Sequence, residues 1–248
     1  MLRYEQMSTL INSFLKEEIS KYRIEFRLPA PVSTCSAGRE TWWELKSVHP
    51  WLKLPKEILT SAQTVIVFAL PLSHEAISSN ILGDEPSPEW LRDYTAANEI
   101  IWSSLSRLSS YLIDLGYKSI PIRPTHDFDS DSLRASWSHR HAGFVCGLGT
   151  FGLNNLLITE KGCAVRLGSV ITEAEVEESP RPPYEYCLAK RGKLCDACIK
   201  RCPIGALDDW SSGRRKCYDR LMSIASRKQL ADACGKCSVG IPCALQIP

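Results

Sequence analysis

Apolar positions recur at helical spacing in two stretches of the first half of the chain. In residues 10–22 and 89–115, apolar side chains return every three or four positions, which predicts two amphipathic helices. Gly116 follows the second stretch and is a typical C-cap, so the longer helix is expected to end there.

Short apolar runs between and after these helices predict strands. Residues 64–70 form a continuous run rich in β-branched side chains, which is typical of a buried strand. Residues 118–122 predict a short strand after the long helix. Residues 156–158 and 165–171 are interpreted as a strand pair with its turn at residues 160–162. The pattern therefore predicts a mixed α/β arrangement.

A proline-rich segment marks a boundary near residue 180. Pro180, Pro182 and Pro183 fall within four positions, and proline disfavours both helix interiors and central strands. We therefore divide the chain into a first domain, residues 1–180, and a smaller second domain, residues 181–248.

Composition is that of an ordinary globular chain, 44% hydrophobic and 23% charged over 248 residues. No apolar run approaches the roughly 20 residues of a membrane helix, and the first 20 residues lack the apolar core of a signal peptide. No membrane association and a cytoplasmic location are therefore expected.

The formal net charge of +2 conceals an asymmetry. Residues 181–248 hold 13 Lys/Arg against 6 Asp/Glu, whereas residues 1–180 hold 17 against 22. A basic second domain could dock an acidic electron donor or a nucleic acid. A solvated surface of mixed charge is an equally good interpretation.

Eight of the eleven cysteines lie in the last 62 residues. The densest part is Cys195-x-x-Cys198-x-x-x-Cys202-Pro203, and bacterial ferredoxins use a similar rule in which the cysteine before proline ligates the other of two clusters. Each [4Fe–4S] cubane takes four thiolates, so eight cysteines fit two clusters. Two zinc sites are the alternative, because CxxC pairs also bind zinc, although zinc does not explain the Cys-Pro turn. A disulfide framework suits short secreted chains better than this one.

The analogy with two-cluster ferredoxins sorts these cysteines into two groups. The cluster A cysteines are Cys187, Cys195, Cys198 and Cys243, and the cluster B cysteines are Cys202, Cys217, Cys234 and Cys237. The analogy fails at Cys187. In a ferredoxin the first ligand lies three residues before the second, whereas Cys187 lies eight residues before Cys195, so residues 188–194 must form a loop. Cys243 departs as well, because it follows Pro242. Ligands that cross between the clusters predict that metal binding and folding are coupled.

Three glycines, Gly147, Gly149 and Gly152, stand within six positions before an apolar strand. Glycine at such density indicates either a tight turn or a close approach of the backbone to a flat, bulky group. The order differs from a dinucleotide-binding fingerprint, in which the glycines follow a strand and open a helix. From the residues alone, a structural turn is the favoured interpretation.

The run from His139 through Gly152 to residue 158, followed by residues 165–172 and the double cysteine motif, resembles the epoxyqueuosine reductase family, which is related to the reductive dehalogenases. Residues 64–71 and 86–98 resemble its shorter members. The resemblance covers roughly residues 55–248, and the cysteine pattern is its most specific part.

The resemblance implies an α+β fold, with a nitroreductase-like α/β core that binds cobalamin followed by a ferredoxin-like domain with two [4Fe–4S] clusters. It implies that the glycine loop contacts the corrinoid through Gly147, Leu148, Gly149 and Gly152. Arg140 could bind an anionic group such as a phosphate of the corrinoid, although exposed arginines are common. The resemblance further implies a base-off corrinoid, reduced by a ferredoxin-like or flavodoxin-like donor through cluster B and then cluster A.

Two departures bear on the substrate. Epoxyqueuosine reductases carry an Asp-Ser-Ala-Pro segment whose acid donates a proton, and ungapped counting places that site at residues 133–136, where no acid stands. Asp129 and Asp131 are close, and a gap could bring one of them in. The chain stops at Pro248, before the helical repeats that help to hold tRNA. Both facts count against tRNA and favour a small molecule or a modified nucleoside.

Reductive chemistry of this kind needs a general acid near the reacting group. Tyr94, His139 and His141 are the candidates. Tyr94 could equally be a core residue of its helix, and the two histidines could be one surface and one hydrogen-bonded core side chain.

Three functions remain open from the sequence. The first is a cobalamin-dependent iron–sulfur reductase, and the second is an electron-transfer protein that activates a partner's corrinoid without a substrate of its own. The third is a redox-sensing or structural cluster protein. The first domain of 180 residues argues against a bare ferredoxin, which would need only the last 70 or so.

Overall fold

A computed structural model of the chain describes residues 1–124, 128–228 and 231–248. The helices in these residues are α1 (Tyr4–Ile19), α2 (Glu40–Val48), α3 (Pro55–Ile58), α4 (His74–Ser79), α5 (Pro88–Asp114), α6 (His139–Cys146), α7 (Ala197–Lys200) and α8 (Trp210–Lys228). The strands are β1 (Val32–Ser36), β2 (Thr64–Pro71), β3 (Ser119–Ile122), β4 (Phe128–Asp129), β5 (Arg134–Ala135), β6 (Thr150–Phe151), β7 (Leu157–Ile158) and β8 (Val165–Thr172).

The main sheet is antiparallel, with strand order β1-β2-β8-β3. Strand β2 is buried along its whole length, as its unbroken apolar run predicts. Helices α1 and α5 cover one face, where Phe68 and Leu70 meet Ile101 and Leu105. Helix α6 covers the other face. The sheet thus lies between two helical layers.

The long predicted helix is confirmed. Helix α5 begins where the Ser87 hydroxyl accepts a hydrogen bond from the Trp90 N–H (3.1 Å), with Pro88 at its first position. The helix predicted at residues 10–22 exists, but it starts at Tyr4 and ends at Ile19.

The predicted pairing of residues 156–158 with 165–171 is wrong, although both segments are strands. Strand β7 pairs with β6, whereas β8 runs between β2 and β3. The turn at Thr159–Gly162 is closed by backbone hydrogen bonds of 3.0 and 2.9 Å, but the next two residues bond to the last segment of the chain. Cys163 N–H donates to the Cys243 carbonyl (2.9 Å), which directs β8 away from β7.

The last segment packs directly on the α/β core. Ile224, Ala233 and Val239 belong to the same apolar cluster as α1 and α5. Residues 177–182, which contain the first two boundary prolines, form no helix or strand. The division of the chain at residue 180 stays a prediction. Within the described ranges, no helix is long and apolar enough to cross a membrane.

Candidate functional site

The four cluster A cysteines line one cavity. Its empty volume is about 330 Å³, part of it open to solvent, and its wall also includes Gly152, Asn154 and Pro248. Cys198 lies on α7, while the other three come from loops before and after it. Cys187 and Cys243, which are 56 positions apart in the sequence, therefore line the same cavity.

Electrostatics inside this cavity favour a positively charged occupant. Burial, together with the neighbouring thiols of Cys243, Cys187 and Cys195, raises the pKa of Cys198 to about 11. Four thiolates at such close quarters repel one another, and iron offsets that repulsion when it binds them. The donor set thus fits a [4Fe–4S] cluster.

The four cluster B cysteines form a second mutually interacting group. Burial, followed by the thiols of Cys217, Cys234 and Cys202, raises the pKa of Cys237 to about 12. The Ala206 N–H donates to the Cys202 sulfur at 3.2 Å. N–H groups directed at sulfur stabilise thiolates and tune iron–sulfur potentials.

Arginine also faces this group, because Arg220 Nε donates to the Cys234 sulfur at 3.3 Å. In the described part of the chain, no three His, Cys, Asp or Glu side chains lie close enough together to bind one metal ion. The fit to cubane clusters rests on the two sets of four thiols, since each cubane binds its four thiolates through separate irons.

Asn154 lies between the two cysteine groups. It lines the cluster A cavity, and its Nδ2 donates to the carbonyl of Cys237, a cluster B cysteine, at 2.8 Å. The side chain therefore holds the glycine-loop segment against both groups. Sequence reasoning did not single it out.

Lys236 anchors the segment that carries Cys234 and Cys237. The side chain is 1% exposed, and its Nζ donates to the carbonyls of Asn80 (2.9 Å) and Leu82 (2.8 Å) beside α4. The buried ammonium also places a positive charge beside the Cys234 thiol. Burial lowers the pKa of Lys236, and the Cys234 thiol opposes that shift.

Replacing Lys236 by Met is expected to reduce the free energy of unfolding by about 3 kcal/mol, because one buried and one partly buried carbonyl lose a charged donor. Equilibrium denaturation in urea under anaerobic conditions measures this loss. Lys228→Met on the exposed end of α8 is the control and should change the value by less than about 0.5 kcal/mol. Equal effects of the two substitutions would contradict the anchoring role.

Each glycine of the loop meets atoms of this chain. Gly147 ends α6 with φ 83, and a Cβ there would lie 3.1 Å from Arg181. A Cβ on Gly149 would lie 2.0 Å from the Ile158 carbonyl oxygen, and one on Gly152 would lie 2.6 Å from Asn154 Oδ1. These contacts account for the glycines as packing requirements. Contact of Gly147, Leu148, Gly149 and Gly152 with a corrinoid stays a prediction.

Arg140 belongs to a group of mutually repelling cations, the arginine group, which consists of Arg140 on α6, Arg166 on β8 and Arg214 on α8. Burial, then Arg214 and Arg166, lower the pKa of Arg140, while Cys217 and Cys237 oppose the shift. Arg140 also donates to the Asn155 carbonyl. Among the described residues, no carboxylate lies within 4.0 Å of these three guanidinium groups. The group is suited to an anion and lies beside cluster B.

Tyr94 lies next to this group. The Arg166 guanidinium carbon stands 4.1 Å from the centroid of the Tyr94 ring, and Arg166 also donates to Asn98 Oδ1 at 2.9 and 3.1 Å. The Tyr94 side chain is half-buried and also packs on the α5 core. Arg166 was missed from the sequence, since only the fold brings β8 against α5 here.

His139 is held on both sides by protein. Its Nε2 is 3.0 Å from the Arg123 carbonyl, which must accept a proton, so Nδ1 accepts from the Ser169 hydroxyl at 2.8 Å. Burial lowers the pKa of His139 to about 4. The neutral, fully bonded imidazole holds the sheet and α6 together. Its one N–H already donates to the Arg123 carbonyl, so His139 is not a general acid at neutral pH.

His141 is half-buried between the rings of His49 (5.0 Å) and Phe151 (5.2 Å) and bonds to the Ser138 hydroxyl (2.8 Å). Burial, and then Arg140, lower its pKa to about 4. The structure thus brings His141 and Arg140 together, and Arg140 also interacts with the cluster B cysteines, whereas His139 faces the sheet. Of the three candidate acids, Tyr94 is the one with a hydroxyl proton to donate.

Burial of neutral His139 makes stability depend on pH. The pKa is 6.5 in the unfolded chain and about 4 in the folded one, so below pH 6.5 the unfolded state takes up the proton first and stability falls with pH. Between pH 6.5 and 5.5 the loss from this one group is about 1 kcal/mol. His139→Gln should remove that part of the fall, as measured by urea unfolding at both pH values. An unchanged pH dependence in the variant would contradict this assignment.

No family model and no curated protein matches the chain. Solved structures do match it. An epoxyqueuosine reductase from Streptococcus thermophilus superposes with a TM-score of 0.54 at 18% identity, over 94% of this chain and 66% of that enzyme. A selenomethionine-labelled epoxyqueuosine reductase gives 0.55 at 16% identity, over 96% of this chain and 66% of that one. A reductive dehalogenase, whose structure is described as suggesting a mechanism for B12-dependent dehalogenation, superposes with a TM-score of 0.50 at 15% identity. The match covers 77% of this chain and 25% of the dehalogenase.

The structural neighbours of the chain are thus epoxyqueuosine reductases and reductive dehalogenases, as its motifs predicted. At these identities the likeness establishes the fold. The chain spans slightly less than two thirds of the reductases and a quarter of the dehalogenase.

Proposed function

We propose that this protein is an iron–sulfur reductase in which the cluster A and cluster B cysteines each hold one [4Fe–4S] cluster and a base-off corrinoid binds beside them. The observation that carries the proposal is the gathering of eight cysteines into two groups of four, on the fold of the epoxyqueuosine reductases. The clusters would supply single electrons, and the corrinoid would supply strongly reducing chemistry.

The residues beside cluster B support a reaction site there. Tyr94 has a phenolic proton to donate, and the Arg166 guanidinium stands over its ring. The arginine group would hold an anion, either a phosphate of the corrinoid or an acidic group of the substrate. His141 and Phe151 add two aromatic rings, 5.2 Å apart and inclined to each other by 50°.

This placement favours an order of clusters opposite to the one that the family resemblance implied. Arg140 interacts with Cys217 and Cys237, both of cluster B, and no cluster A cysteine is among the groups that shift its pKa. We therefore assign cluster B to the reaction site and cluster A to the side where electrons arrive. A ferredoxin-like or flavodoxin-like donor and a reducing cytoplasm fit this assignment.

The substrate that fits best is a small molecule or a modified nucleoside. Asp129, one of the two acids close to the expected proton-donor segment, is exposed on β4, and its carboxylate accepts the Ser132 N–H at 2.6 Å. That hydrogen bonding lowers the pKa of Asp129, so the acid is ionised and is a poor proton donor. The absence of an acid from residues 133–136 leaves no support for epoxyqueuosine on tRNA.

Corrinoid retention tests the proposal. Anaerobically reconstituted protein is mixed with hydroxocobalamin, passed through a desalting column and examined for cobalt and for the visible spectrum of base-off corrinoid. About one cobalt per chain supports the reductase. Clusters without retained cobalt favour the alternative, an iron–sulfur protein that passes electrons to a partner's corrinoid.

Arg140→Gln is expected to weaken corrinoid retention at least about 10-fold if the arginine holds the phosphate, because charge-assisted hydrogen bonds contribute about 1.5–3 kcal/mol. Arg3→Gln, at the exposed start of α1, is the matched control. Equilibrium dialysis against hydroxocobalamin gives both affinities. Equal affinities would assign Arg140 to the substrate or to structure alone.

A further inference from the structure

The loop between the first two cluster A cysteines has a defined shape. We call residues 188–194 the cysteine loop. Ala189–Arg191 form one 3-10 turn, and Gly192 ends it at φ 77. The Gly192 N–H donates to the Ala189 carbonyl and the Lys193 N–H to the Leu188 carbonyl, both at 3.0 Å. This pair of hydrogen bonds is the Schellman arrangement, which fixes the turn.

The outer side of the cysteine loop presents one apolar side chain beside two lysines that form no ion pair among the described residues. Leu194 is 106% exposed, and Lys190 and Lys193 are exposed beside it. Among the described residues, no carboxylate lies within ion-pair distance of either lysine. A single exposed leucine is ordinary on a protein surface, but this one is flanked by two unpaired lysines and precedes a cluster A cysteine.

The inner side of the same loop closes the cluster A cavity. Leu188 lines that cavity next to Cys187 and Cys195. Arg191 fixes the loop from below, because it donates to the Pro248 carbonyl and stands over the Tyr184 ring at 5.4 Å. The loop therefore forms part of the wall of the cluster A cavity.

We propose that the cysteine loop is the docking surface for an acidic one-electron carrier protein, with Lys190 and Lys193 steering the carrier and Leu194 forming the apolar contact. The inference rests on the proposed clusters. The carrier loses one electron and the nearest cluster gains it, with no proton or atom transferred.

Complexes between electron-transfer proteins bury little surface and depend on complementary charge. Two steering lysines and one apolar contact match an interface of that size. The rival surface is a groove beside cluster B, with an empty volume of about 690 Å³ open to solvent. Its cations are partly neutralised already, because Arg227 and Arg220 lie 3.1 and 3.9 Å from Glu85. That groove also borders the cluster assigned to the reaction site.

A pair of matched charge reversals separates the two surfaces. One variant carries Lys190→Glu and Lys193→Glu on the cysteine loop, and the other carries Lys216→Glu and Lys228→Glu on α8, so their net charges are equal. A reduced acidic [2Fe–2S] ferredoxin is mixed with each reconstituted protein, and the rate of cluster reduction is followed at low and at high salt. Affinity for oxidised ferredoxin is measured by calorimetry as a second readout.

The cysteine-loop variant should react about 10-fold more slowly at low salt, lose most of its salt dependence and bind ferredoxin correspondingly more weakly. The α8 variant should behave like the unmodified protein. Leu194→Ser should weaken binding while leaving the salt dependence intact. A slowed α8 variant with a normal cysteine-loop variant, or no effect in either, overturns the inference.

Iron content and photochemical reduction without a carrier protein keep the two proposals distinguishable. If all variants contain both clusters and are photoreduced equally, a negative result with ferredoxin rejects only the docking surface. If the unmodified protein binds no clusters, the proposed function itself fails.

Discussion

Cys198→Ser and Cys237→Ser should each remove about four of eight irons per chain, because each serine leaves one cubane without a ligand. The structure places Cys198 in the cluster A cavity and Cys237 at the centre of the cluster B cysteines. Loss of either cluster also exposes the remaining thiols of its group, so folding of the last segment should weaken. Iron and sulfide analysis of anaerobically reconstituted protein measures the losses.

Double substitutions make this prediction specific to the grouping. Cys198→Ser with Cys243→Ser should lose no more iron than Cys198→Ser alone, because both ligate cluster A. Cys198→Ser with Cys237→Ser should lose all iron. Cys35→Ala is the control, since Cys35 is buried in the core under α6, away from both groups. Additive losses within one group, with circular dichroism unchanged, would contradict the assignment.

Gly149→Ala is expected to lower the free energy of unfolding by about 3 kcal/mol, because the new methyl would lie 2.0 Å from the Ile158 carbonyl oxygen. The clash is with backbone of β7, which cannot turn aside as a flexible side chain can. Urea unfolding under anaerobic conditions measures the loss.

Gly38→Ala is the matched control, since its added carbon would meet atoms no closer than 3.7 Å. It should change stability by less than about 0.5 kcal/mol. The pair also separates packing from cofactor contact. If Gly149→Ala keeps its stability and loses corrinoid retention, the glycine faces the cofactor and the packing explanation is wrong.

Local patterns predicted two of the eight helices and four of the eight strands in the described residues, but they did not predict all of the strand pairing. Strand β2 and helix α5 follow from unbroken apolar or helical spacing, which neighbouring residues determine. The pairing of β7 could not be predicted, because it depends on where the chain goes after Gly162. That residue packs against Ala244, more than 80 positions away.

The start of α1 was misjudged for a different reason. The buried stripe is Met7, Ile11 and Leu15, which repeats every four residues, and the sequence contains it in full. A range that starts at Leu10, which is only half-buried, begins six residues late and ends three residues late. The helix boundaries therefore follow from the spacing of Met7, Ile11 and Leu15, which the sequence alone contains.

The residues of the candidate site also fall into those with a local sequence pattern and those without one. The two cysteine groups were predictable, because cluster ligation imposes regular spacing on the sequence. Lys236 and Arg166 were not, since one depends on carbonyls beside α4 and the other on a tyrosine of α5. Such residues carry no local pattern and become visible only when distant elements meet.

The measurement that tests the central claim most directly is the iron and acid-labile sulfide content of the unmodified protein after anaerobic reconstitution, together with the electron paramagnetic resonance spectrum after reduction. Two cubanes predict about eight irons and eight sulfides per chain and a spectrum of interacting reduced clusters. About two zinc ions in place of iron, or a single cluster, would contradict the account.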